Sequence, residues 1–90
     1  MITFLYNIIK MSTELQEELT SYLEEKNYRS FLHIMSTNII LLTLFENNKE
    51  LYEDCEADLE YLENNIAGND ENGCISSCND LLQIISDFVK

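Results

Sequence analysis

Hydrophobic positions recur every three or four residues along most of the chain, the repeat of helices that bury one face. Between residues 13 and 26, Leu15, Leu19, Tyr22 and Leu23 mark one side, and Thr13 with Gln16 has capping-box spacing. A first helix is predicted there. Residues 28–46 predict a second, whose polar positions Arg29, His33, Ser36 and Thr37 form a narrow strip. Nearly everything else in it is apolar, the pattern of a central helix that others pack against. The ENN stretch at 46–48 ends it, because asparagine adopts the left-handed conformation at helix ends. A third helix is predicted over 48–67, with Leu51, Cys55, Leu59, Leu62 and Ile66 in register. GNDENG at 68–73 reads as a loop. A fourth helix follows over 73–89, with Cys74, Cys78, Leu81, Leu82, Ile85, Phe88 and Val89 on one side. Short connections favour antiparallel neighbours. The expected fold is therefore all-α, a small four-helix bundle forming one domain over 1–90. Residues 1–11 are set apart as a peripheral N-terminal extension, because Met11, Ser12 and Thr13 read as a second start followed by helix caps.

Composition agrees with a helical reading. Proline is absent and both glycines fall at 68 and 73, outside the predicted helix interiors. The uncharged run FLHIMSTNIILLTLF at 31–45 is shorter than the ~20 apolar residues of a membrane span and carries several polar groups. Five Lys and Arg residues are too few to orient a span. At the N-terminus Lys10 follows the apolar stretch instead of preceding it, unlike a secretory signal. No membrane association is expected, and the expected location is the cytoplasm, or a host cytoplasm for a viral or secreted protein. Abundant Ile and Asn fit an AT-rich coding sequence. Small acidic helical proteins of phages, viruses and bacterial secretion loci form one category with these properties.

Candidate chemistry is sparse. Cys55, Cys74, Cys78 and His33 are the soft ligands, and Cys74 with Cys78 shares one helix face. A three-thiolate, one-imidazole zinc site is one arrangement of these groups. Each cysteine is also in register with leucine and isoleucine, and free cysteine is among the most buried residue types. Core cysteines are the expected outcome, with neither metal nor cofactor. The single histidine has no recognisable partner for activating a nucleophile, so an enzyme is not expected. Asp70, Glu71 and Asn72 before Gly73 lack the ligand spacing of a calcium loop.

Charge changes the picture most. Seventeen acids against five bases give a net charge of −12, which disfavours direct contact with nucleic acid. Glu53, Glu56, Glu60 and Glu63 repeat at helical spacing along the third predicted helix, flanked by Asp54 and Asp58 and interrupted by Tyr52 and Tyr61. Like charges three or four apart each destabilise a helix by about 0.2–0.5 kcal/mol. Such a face is either solvated or docks on a basic partner, with the tyrosines as anchors. The functional expectation is a non-enzymatic binding module for a basic protein surface: an inhibitor, adaptor or dedicated chaperone. The alternatives are a nucleic-acid mimic that blocks a DNA- or RNA-binding protein, and a Cys/His metal-binding module. A homodimer through residues 31–45 is also expected, unless Phe4, Leu5, Ile8 and Ile9 cover that helix within one chain.

Overall fold

A computed structural model describes the backbone of residues 2–89 and the side chains of residues 13–89. It holds five helices and, among the described residues, no strand: α1 (Ile2–Glu24), α2 (Tyr28–Thr37), α3 (Ile39–Asn47), α4 (Lys49–Ala67) and α5 (Glu71–Val89). The all-helical expectation holds, with five helices instead of four. α1 begins at Ile2, so Thr13 lies inside a helix and is not its cap. Residues 2–12 contain no glycine or proline that would stop a helix from continuing. Whether Phe4, Leu5, Ile8 and Ile9 cover a neighbouring helix lies outside the described residues.

The extra helix arises at Asn38, where the predicted 28–46 helix is broken. Thr37, Ile39 and Ile40 flank the break, and β-branched residues lose side-chain freedom in a helix. The Thr37 hydroxyl donates back to the His33 carbonyl at 2.7 Å, a local bond that competes with helix continuation. Asn38 then takes an extended conformation with φ −66° and ψ 120°. Its own N–H closes α2 on the Ile34 carbonyl at 2.9 Å, and its Oδ1 accepts from the Ile40 and Leu41 N–H groups at 3.0 and 3.1 Å. One residue caps two helices. The break also resets the register. A straight helix would place Ile39 and Leu42 above Phe31 and Met35, at spacings of four and seven from Met35. Instead Leu41 and Phe45 turn inward beside Phe31 and Met35, while Ile39 and Leu42 face out.

This divides the predicted central role. Among the described residues, α2 touches all four other helices, whereas α3 lies to one side against α1, α2 and α4. The most extensive pairing is the α4–α5 hairpin. The core comprises Leu15 and Leu19 of α1, Phe31 and Met35 of α2, Leu41 and Phe45 of α3, Leu51, Cys55 and Leu62 of α4, and Cys74, Cys78, Leu81 and Ile85 of α5. All three cysteines lie in it, as their register required.

The turns use left-handed residues, but not at 47–48: Asn48 is extended, with φ −138°. Its side chain donates back to the Leu44 carbonyl at 2.9 Å, so it serves the end of α3 and leaves α4 without a side-chain cap. The positive-φ residues are Lys26 and Asn69. At each, paired backbone bonds close the preceding helix: Asn27 N–H to the Tyr22 carbonyl with Lys26 N–H to Leu23, and Asp70 N–H to Asn65 with Asn69 N–H to Ile66. The predicted 68–73 loop shortens to three residues, because Asp70 Oδ1 accepts from the Gly73 N–H at 3.0 Å and starts α5. A Cβ at Gly73 would come within 2.7 Å of the Asn65 side chain, so glycine lets α5 approach α4 there. Asn65 reaches past it to the buried Ser77 hydroxyl at 3.4 Å. Lys26 Nζ pairs with Glu71 at 3.1 Å and ties the α1–α2 turn to the head of α5.

Candidate partner-binding surface

α4 buries Leu51, Cys55 and Leu62 and turns its opposite side to solvent. Glu53, Glu56, Glu60 and Glu63 are all exposed on it, as are Asp54, Tyr52 and Tyr61. The eight residues do not act as one surface. Glu53 lies 3.9 Å from Lys49, and with Glu50 and Asp54 it sits near the helix N-terminus, where the macrodipole favours negative charge. Toward the C-terminus the dipole changes sign, and the last turn of α4 carries no basic residue. Glu56, Glu60 and Glu63 have no ion-pair partner among the described residues. Uncompensated repulsion is thus concentrated in the second half of the helix. Tyr61, 61% exposed, stands in the middle of that half.

Two of the predicted residues are turned elsewhere. Tyr52 packs its ring edge-on against Phe45, centroids 5.5 Å apart, which fastens α3 to α4. Asp58 is half-buried in the α4–α5 seam and faces Asp80. Burial, then the charge of Asp80, pushes its carboxyl above the ordinary aspartate range. Nothing in sequence spacing links positions 58 and 80, because the pairing depends on how the hairpin closes.

Glu63 also borders a shallow cleft with Arg29, Leu32, His33 and Ser36, so the polar strip of α2 lies beside the acidic end of α4. A second cleft, of about 290 Å³, gathers Lys26, Asn27, Tyr28, Arg29, Asn65 and Glu71 at the turn end of the bundle. Its carboxylate is already engaged: Glu71 accepts from Lys26 at 3.1 Å and from the Tyr28 hydroxyl at 3.4 Å. Burial and the neighbouring Glu71 raise the Tyr28 hydroxyl above its ordinary value.

The thiols are poor ligands and poor nucleophiles. Burial pushes Cys55 up to about 11 and Cys78 up to about 12, and it raises Cys74 as well. No disulfide joins them. His33 is exposed on α2, and no group of three or more His, Cys, Asp or Glu side chains suited to a metal ion comes together among the described residues. No described helix is long and apolar enough to cross a membrane. Fold and surface together define a small, acidic, all-helical chain with one crowded anionic helix. It matches no protein-family model, no curated protein and no solved structure.

Proposed function

We propose that this chain is a non-enzymatic binding module that docks on a basic protein surface through the outer side of α4. The contact is centred on Glu56, Glu60, Glu63 and Tyr61, with Glu53, Asp54 and Tyr52 at its border. The carrying observation is the concentration of unpaired carboxylates where the helix dipole opposes them, around a tyrosine whose ring is largely in water. A cationic partner relieves that repulsion, and tyrosine supplies apolar area with a polar tip at such interfaces. The module acts as an inhibitor, adaptor or dedicated chaperone in the cytoplasm of the cell or host.

The test uses the parent chain and a Glu56→Lys/Glu60→Lys variant as parallel baits against lysate from the native source, with quantitative mass spectrometry. Both positions are exposed, so the helix content of the variant should match the parent. A basic protein enriched on the parent and depleted at least about tenfold on the variant is expected, with slower association and a shallower salt dependence. Equal capture by parent and variant would remove α4 as the docking surface.

A further inference from the structure

Residues 26–45 build the α1–α2 turn, α2 and most of α3, and they contain none of the 17 acids in the chain. Lys26, Arg29 and His33 are their only charged or titratable side chains besides Tyr28. On this acid-free side, the register change at Asn38 leaves Ile39 76% exposed and Leu42 40% exposed, one turn apart on α3. The remaining apolar side chains of 31–45 are buried or partly buried within the chain, so the uncovered apolar face is confined to α3.

We infer that the outer face of α3, centred on Ile39 and Leu42, is a docking surface for a second copy of this chain. Charge selects the occupant. Two bodies of net charge −12 repel wherever their carboxylates meet, and the α2–α3 side is the one built without any. A basic partner is drawn to the acids of α4 instead. An anionic partner or an anionic lipid surface meets only Lys26 and Arg29 here, against the repulsion of the whole molecule. A two-fold contact brings the same neutral apolar pair to both sides of the interface. Two residues and their neighbours cover less than the ~1,200 Å² of a stable interface, so the dimer is weak and concentration-dependent. Its salt response has a definite sign. Screening removes the net repulsion and leaves apolar burial untouched, so salt strengthens this contact, the opposite of an acid–base one. The inference does not depend on the docking role of α4.

Sedimentation equilibrium on the full chain tests it, from about 10 to about 500 µM at about 0.05 and 0.5 M NaCl, a range over which the Debye length falls several-fold. The expected result is a monomer–dimer equilibrium whose association constant rises at least about fivefold with salt. Ile39→Glu and Leu42→Glu, each at an exposed position, should keep the parent's far-UV circular dichroism. Each should lower association at least about tenfold by placing carboxylates face to face. Four results overturn the inference: a monomer throughout, a dimer indifferent to both substitutions, a dimer that dissociates as salt is added, or a monomer that co-floats with phosphatidylcholine–phosphatidylserine vesicles only while Ile39 is intact.

Discussion

Replacing Asn38 by alanine sets two helical arrangements of residues 28–47 against each other. In the observed one, Asn38 Oδ1 satisfies the part-buried Ile40 and Leu41 N–H groups. Losing an asparagine cap to alanine costs about 1 kcal/mol, within a range of roughly 0.5–2. Alanine is also the best helix former, so the substitution favours a continuous helix at the same time. That straight helix is costly in packing, because it would bring Ile39 and Leu42 over Phe31 and Met35 and swing the buried Leu41 and Phe45 out of the core. Exposing one large buried aliphatic or aromatic side chain costs about 1.5–3 kcal/mol, more than the cap is worth. The variant should therefore keep the break and lose about 1 kcal/mol, a fall of roughly 4–8 °C in Tm for a domain near this size. Urea and thermal unfolding followed at 222 nm measure it, with Asn38→Asp as the control that keeps an acceptor at the cap. Asp should stay within about 0.5 kcal/mol of the parent, since aspartate caps about as well as asparagine. An Asn38→Ala protein as stable as the parent, with a stronger 222 nm signal, would refute the reasoning.

Three further outcomes follow from the turns, the hairpin seam and the core. Asn69 has φ 56°, a conformation that glycine adopts without a Cβ penalty. Asn69→Gly should raise stability by about 0.5 kcal/mol in urea titrations, and a loss would show that its side chain matters more than its backbone. Asp58 has a raised carboxyl, so its folded state favours the proton. The associated stability is present below the unfolded value near about 3.9 and is lost as pH rises through the higher folded value. Asp58→Asn should therefore stabilise the protein at pH 7 by about 0.2–0.5 kcal/mol, the scale of one like-charge contact, and flatten the gain seen on mild acidification. An unchanged pH profile would place Asp80 out of reach. At pH 8, fewer than about one in a thousand Cys55 thiols and one in ten thousand Cys78 thiols are ionised in the folded state. Thiol labelling of the native protein should be slow and should complete for all three cysteines in denaturant; rapid native labelling would contradict their burial.

Periodicity carried the larger elements. The Leu51–Cys55–Leu62 and Cys74–Cys78–Leu81–Ile85 stripes are long, unbroken and flanked by glycines, and both fall in the core. It failed at 38 because a run apolar on nearly every side has no phase. Phe31 and Met35 define one stripe, Leu41 and Phe45 another, and the sequence supports a straight helix equally well through Ile39 and Leu42. Only the side-chain bonds of Asn38 and Thr37 choose between them, and each is a single local hydrogen bond that hydropathy does not register. The start of α1 was misplaced for a related reason. Thr13 and Gln16 have cap spacing, but the residues before them are equally able to form helix. In the acidic surface, exposure was legible from the face opposite the leucines. The diversion of Asp58 toward Asp80, and of Tyr52 toward Phe45, depends on tertiary contact across two helices.

The energetics of α4 bear on why its charge is there. Six pairs of acids stand three or four residues apart along it: 50–53, 50–54, 53–56, 54–58, 56–60 and 60–63. At about 0.2–0.5 kcal/mol each, they oppose the helix by roughly 1–3 kcal/mol, before any relief from Lys49 or the dipole. Domains of this kind are stable by only about 5–15 kcal/mol, so the burden is a sizeable share. Solubility does not require it, because a net charge of about 2–8 suffices for a small domain and the chain carries −12. Nor does solubility require crowding on one helix, when α2 and most of α3 have room for acids and hold none. A charge set that costs stability, exceeds colloidal need and is partitioned onto particular helices fits a surface meant to meet an opposite one. The acid-free face of α3 is the complement of that partition: it leaves one side on which two such anions can approach each other.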